Sequence, residues 1–245
     1  NHPDIDMLSF TGSTNAGRQV MINGAQTIKR VALELGGKSA NILLEDVDFE
    51  RMVAHGVISC MTNSGQSCNA PTRMLVPNSK MSLVSAIAEA VAAKVKVGDP
   101  TQAETTMGPV ASRAQFDKIQ QMIQAGIDEG ANLIAGGVGK PDGCDAGFYV
   151  KPTIFTEVRN SMSIAQQEIF GPVLAIIGYE DEDEAIRIAN DSNYGLSGYV
   201  SSASVDKARD VARKIRTGMV HLNGAPLDFN APFGGYKESG IGREW

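Results

Sequence analysis

Short apolar runs and amphipathic helical stretches take turns along nearly the whole chain, and this alternation restricts the fold more than any other feature. Met7-Leu8-Ser9-Phe10 reads as a short buried strand, the stretch from Gly12 to Gly17 as a turn, and the residues to about Ala25 as a helix. The run from Arg30 to Leu35 is the next strand, which puts Glu34 at a C-terminal strand end, where open parallel sheets place ligands. From Ser39 onward the pattern gives a strand over Asn41 to Leu44, a helix over Phe49 to Thr62, a strand over Arg73 to Val76 and a helix from Lys80 to about Val95. Helices near Ser112 to Glu129, Glu182 to Asn190 and Val205 to Ile215 then separate strands near Leu133, Val173 to Ile177, Tyr199 to Ser201 and Met219 to Leu222. Such an order predicts an α/β fold with a mainly parallel sheet covered on both faces. The glycine-rich stretch from Gly136 to Gly147 reads as a surface loop or hairpin.

Composition narrows the function classes. The chain has 245 residues, 42% hydrophobic and 20% charged, which is ordinary for a soluble globular protein able to bury a sizeable core. A net charge of −6 with no cluster of Lys and Arg argues against a nucleic-acid partner, because phosphate contacts need concentrated positive charge. No apolar run approaches the roughly 20 residues of a membrane span, and the first residues carry no signal-peptide pattern. Three cysteines, an odd number without metal-ligand spacing, predict reduced thiols, no metal site and a cytoplasmic setting. Cys60 lies in an apolar helical period and reads as a buried residue, whereas Cys144, in Pro141-Asp142-Gly143-Cys144-Asp145, reads as an incidental surface thiol.

Cys68 differs from both. It stands in Asn63-Ser64-Gly65-Gln66-Ser67-Cys68-Asn69, a polar, turn-forming sequence that can expose a thiol, and it follows Glu34 in Leu33-Glu34-Leu35-Gly36-Gly37-Lys38. A thiol can attack a carbonyl carbon at neutral pH, and a carboxylate can activate the water that releases the acyl group. No Lys, Arg or His adjoins Cys68 in sequence, and a nearby ionised Glu34 raises a thiol pKa, so Glu34 is the expected proton acceptor. Gly36 and Gly37 let a cofactor or another stretch of main chain come close. The strand, Gly-containing turn and helix at the start of the chain offer main-chain N–H groups to a phosphate. His2 and His55 receive no role, and His221, in the strand-like Met219-Val220-His221-Leu222-Asn223, reads as a core histidine.

Phe10-Thr11-Gly12-Ser13 precedes these residues, and Glu168-Ile169-Phe170-Gly171-Pro172 and Pro232-Phe233-Gly234-Gly235 follow them, in that order. From near Asp4 to Arg243 this set resembles the aldehyde dehydrogenase superfamily, and the chain looks like the C-terminal half of such an enzyme. The resemblance implies the end of a Rossmann-like dinucleotide-binding domain over residues 1–36 and a three-layer catalytic domain over 37–245, its last residues returning towards the first. It implies NAD (or NADP) as cofactor, a small-molecule aldehyde as substrate and a full-length enzyme that is a homo-oligomer. It makes Cys68 the nucleophile and Glu34 the base. Gly12 and Ser13 resemble pyrophosphate contacts, Leu35 a carbonyl contact to the nicotinamide amide, and Glu168 and Phe170 contacts to the nicotinamide ribose and ring. Gln115 and Lys118, on one side of a helix, resemble positions reaching the adenosine ribose, and Phe233 a wall of the substrate tunnel. A hydrolytic dehydrogenase is the reading favoured. A coenzyme A-acylating enzyme of the same superfamily generally lacks the carboxylate at Glu34; a Cys–His hydrolase needs a histidine in a polar loop; and a fold-retaining fragment without turnover is the third alternative.

Overall fold

The computed structural model describes residues 2–245, and its strands form two separate sheets. The smaller is three-stranded, ordered β1 (Met7–Thr11), β2 (Arg30–Glu34) and β10 (Gly240–Ile241). β1 and β2 run parallel with Thr11 opposite Glu34, and β10 runs antiparallel to β2 with Gly240 also opposite Glu34. Helix α1 (Thr14–Ala25) connects β1 to β2 and starts at Ser13, whose hydroxyl accepts the Ala16 N–H. Sequence periodicity gave no sign of β10, because two residues beginning with a glycine have no period to read.

The larger sheet has seven strands, in the order β5 (Asn132–Ala135), β6 (Thr153–Thr156), β7 (Val173–Tyr179), β4 (Arg73–Pro77), β3 (Ala40–Leu43), β8 (Ser197–Ser201) and β9 (Met219–Leu222). Every neighbouring pair is parallel except β5 with β6, which the glycine-rich loop after Ala135 leads back antiparallel. All residues of β3 and β4 are buried, as expected of central parallel strands covered on both faces. Ile42 and Leu75 face a core built with Ile119, Ile164, Ala185 and Val211 from α4 (Arg113–Asp128), α5 (Ser163–Gln166), α6 (Glu182–Asn190) and α7 (Val205–Ala212). Leu43 and Met74 face the opposite core, with Val53, Val57, Val84 and Ala88 from α2 (Phe49–Met61) and α3 (Met81–Ala92).

Local chemistry sets the element starts. Asp48, Ser112, Asp181 and Ser204 each accept the N–H of the residue three positions on, capping α2, α4, α6 and α7. Arg73 is a fully buried charge in a central strand, and it is tolerated because its guanidinium donates to the carbonyls of Lys38, Ile188 and Ala189 and to Asn160 Oδ1. Cys60 is buried as expected. Cys144 is also buried, not a surface thiol: its turn folds back so that the sulfur lies 3.9 Å from the Val97 carbonyl oxygen.

One consequence of this topology matters for the site. β3, β4, β7 and β8 start just after the segments carrying Gly37, Cys68, Gly171 and Gly195, while Glu34 ends β2. The N-terminal edge of the large sheet therefore meets the C-terminal end of β2.

Candidate active site

Cys68 sits at the end of a tightly bonded turn. After α2 the chain takes left-handed conformations at Asn63, Ser64 and Gly65 (φ 52°, 56° and 70°). Gly65 is required there twice, by its φ and because a Cβ would overlap the Gly171 main chain. The Asn63 side chain donates to the Gln66 carbonyl at 2.9 Å, and Gln66 Oε1 accepts the Ala111 N–H at 2.8 Å. Cys68 is left half-buried.

The Gly36-Gly37 dipeptide brings the Glu168 carboxylate and the Cys68 main chain together. A Cβ on Gly36 would stand 2.5 Å from Glu168 Oε2, the Gly37 N–H donates to Glu168 Oε1 at 3.1 Å, and a Cβ on Gly37 would overlap the Cys68 carbonyl oxygen. Two residues earlier, Glu34 is buried, with Oε2 lacking a hydrogen-bond partner and Oε1 packed over Gly234. The two glycines thus admit a carboxylate and a main-chain carbonyl where side chains would block both.

Electrostatics follow from this crowding. Burial and then the Glu244 carboxylate push Glu34 up to about 7, against the pull of Arg243. Burial, followed by Glu168 and Glu34, raises the Cys68 thiol, while its own N–H and that of Asn69 oppose the rise. Burial also raises Glu168, opposed by the Gly37 N–H, Lys118 and Lys38. Lys38 is itself fully buried with its Nζ unpartnered, and burial and Arg73 lower it to about 7. Clustered perturbed groups of this kind mark functional sites more often than structural ones.

Phe170 lies in the left-handed region at φ 56° and is half-buried, and the Gln115 side-chain amide donates to the carbonyls of Ile169 at 2.9 Å and Phe170 at 2.8 Å. Gln115 is thus tied to the Ile169-Phe170 main chain, and Lys118, one helical turn on, is near enough for its charge to reach Glu168. Gly12 and Ser13 lie exposed at the start of α1, whose first turn contains no acidic residue. Leu35 is buried, and its N–H donates to the Ser239 carbonyl at 3.0 Å. Phe233 pairs through its main chain with Glu244, leans on Trp245 at 5.1 Å between ring centres, and lines a cavity of about 290 Å³ with His221 and Leu227.

Glu244 and Arg243 were missed by sequence reasoning as site residues. The antiparallel bridge from Phe233 to Glu244 carries them to Glu34, and no local spacing announces that return. No histidine is among the groups acting on the Cys68 thiol; His221 stacks on Tyr199 and directs Nδ1 at the Ala225 carbonyl.

The model of the aldehyde dehydrogenase family matches residues 1–245. The chain belongs to the aldehyde dehydrogenase family. It is 60% identical over 244 residues to 3-succinoylsemialdehyde-pyridine dehydrogenase of a Pseudomonas species, covering all of this chain and 51% of that protein. Among solved structures, a mutant of aldehyde dehydrogenase C from Pseudomonas syringae with NAD+ and octanal superposes at a TM-score of 0.99, with 53% identity over 100% of this chain and 50% of that one. The Mycobacterium tuberculosis aldehyde dehydrogenase with NAD+ superposes at 0.97, with 47% identity over 99% of this chain and 50% of that one. The chain spans about half the length of the relatives it matches. Among the described residues no helix is long and apolar enough to cross a membrane, and no group of His, Cys, Asp and Glu is arranged to hold a metal.

Proposed function

We propose that this chain is the nucleophile-bearing part of a hydrolytic, NAD(P)-dependent aldehyde dehydrogenase, with the small sheet as the end of its dinucleotide-binding domain and residues 37–245 as its catalytic domain. The observation that carries this reading is that the carboxylates of Glu34 and Glu168 both act on the Cys68 thiol, with Gly37 set against the Cys68 main chain and bonded to Glu168. The residues fit the cofactor: Ser13 stands exposed at a helix start free of acidic residues, Gly36 lets the Glu168 carboxylate lie against the main chain, and Phe170 is held ready by Gln115. In this reading Gly12 and Ser13 hold the pyrophosphate, Glu168 the nicotinamide ribose, Phe170 and the Leu35 carbonyl the nicotinamide, and Gln115 and Lys118 support that end of the site. When bound, the dinucleotide supplies a two-electron oxidant.

The chain's own residues supply the rest. Cys68 gives up its proton to Glu34, directly or through water, and its sulfur bonds to the aldehyde carbon, forming a thiohemiacetal whose oxygen needs hydrogen-bond donors while it carries charge. After oxidation Cys68 holds the acyl group as a thioester. Glu34, with a pKa of about 7, is matched to take a proton from water near neutral pH, and the hydroxide attacks the thioester and frees the carboxylic acid and the thiolate. A buried, pKa-raised carboxylate beside the thioester favours hydrolysis over transfer to coenzyme A. We place the enzyme in the cytoplasm, on its three free cysteines, and expect the full-length form to be a homo-oligomer.

The test is turnover of the complete gene product with NAD and an aldehyde, followed by reduced-nicotinamide absorbance, for the native protein and Cys68→Ser. Loss of turnover in the variant is expected; persistent turnover sinks the reading.

A further inference from the structure

The residue after the nucleophile is gripped from two sides. Ser67 Oγ donates to Asn69 Oδ1 at 2.6 Å, and from β8 the Tyr199 hydroxyl donates to the Asn69 main-chain carbonyl at 2.8 Å. The N–H of Asn69 acts on the Cys68 sulfur and favours its ionised form, as does the N–H of Cys68 itself. Asn69, next to the nucleophile, is thus bonded through its carbonyl to Tyr199.

Tyr199 is built to hold this position. Its ring stacks on His221 with centroids 4.8 Å apart and planes at 15°, and His221 is fixed in turn by Nδ1 at 3.2 Å from the Ala225 carbonyl. Burial raises the Tyr199 hydroxyl to about 12, so it stays a donor at any working pH. Neither residue lies in the motifs that mark the family resemblance.

The groups facing Cys68 explain why this grip matters. Glu34 from β2 and Glu168 from the segment before β7 both oppose its ionisation, and Tyr199 faces it from β8 as a neutral hydroxyl. Two main-chain N–H groups work the other way and favour the thiolate.

We propose that Tyr199 is a positioning residue for the nucleophile: its hydroxyl fixes the Asn69 carbonyl and thereby the turn that carries Cys68. The inference rests on Cys68 being the nucleophile.

Tyr199→Phe tests it, because the variant keeps the ring and its stack on His221 and removes only the hydroxyl. Alkylation of Cys68 by iodoacetamide, followed by mass spectrometry across pH, should move to higher pH, with the rate near neutrality falling about three- to ten-fold, the size of one net hydrogen bond. In the complete enzyme kcat should fall in proportion and the KM for aldehyde should hold. His221→Phe keeps an aromatic partner and the hydroxyl, and should leave the alkylation profile in place. An unchanged profile in Tyr199→Phe, even with a lowered melting temperature, overturns the proposal, and so does an equal shift in His221→Phe. Cys68→Ser separates this from the functional reading: turnover that survives in Cys68→Ser defeats that reading, while the alkylation result in Tyr199→Phe stands by itself.

Discussion

Gly37 lies directly against the Cys68 carbonyl oxygen, close enough that no side chain fits between them, while its N–H binds Glu168 at 3.1 Å. One residue thus sets the distance between the Cys68 turn and the Glu168 segment. Its neighbour Gly36 meets only the carboxylate end of Glu168, 2.5 Å from where a Cβ would stand.

The two glycines therefore predict different outcomes on substitution. Gly37→Ala must displace main chain, so it should destabilise by about 1–3 kcal/mol and abolish most Cys68 reactivity. Gly36→Ala can be relieved by rotating the Glu168 side chain, so it should cost little stability and chiefly weaken NAD binding. Thermal unfolding and isothermal titration of both variants of the complete protein check this; equal losses of stability would refute the distinction.

The three thiols should react in a fixed order. Cys68 is half-buried, whereas Cys60 and Cys144 are buried and Cys60 is pushed up to about 12. Iodoacetamide under native conditions should label Cys68 first by at least about ten-fold, because the rate follows exposure and thiolate fraction. Faster labelling of Cys60 would remove the basis of the nucleophile assignment.

Much of this was legible in the sequence, and the failures share a cause. The strands and helices around Glu34 and Cys68 follow from periodicity and caps, because each buries one face along a local stretch of chain. Cys68 and Glu34 could be singled out as a candidate pair because two glycines and a polar turn leave local signatures. Glu244, Arg243 and Tyr199 could not be found this way. Their positions depend on long-range pairing, Phe233 with Glu244 and β8 beside β3, which no local window records. Cys144 failed for the converse reason: a polar turn reads as exposed until another segment covers it.

Glu34 also gives the fold a pH signature. Its folded pKa, about 7, lies above the ordinary glutamate value of 4.5, so the folded state holds this proton more tightly than the unfolded chain. The stabilising contribution is full below about pH 4.5 and is lost as pH rises through about 7. Discounted for screening by solvent, the loss should be about 1–2 kcal/mol. Glu34→Gln should flatten this part of the stability curve, measured by denaturant unfolding between pH 4.5 and 8; identical curves for both proteins would show that Glu34 titrates normally.

The same substitution separates hydrolysis from the other fates of the thioester. Gln keeps the size and hydrogen-bonding reach of Glu34 but cannot accept a proton, so water attack should slow more than acylation. In the complete enzyme, reduced nicotinamide should appear in a rapid burst approaching one equivalent per site, followed by a steady state slower by about 10²–10⁴, the usual size of general-base catalysis. Mass spectrometry should find the acyl group on Cys68. Unchanged steady-state turnover would exclude Glu34 as the deacylation base. A lost burst, with Cys68 never acylated, would move its role to accepting the thiol proton, which its raised pKa and its effect on the Cys68 charge also permit.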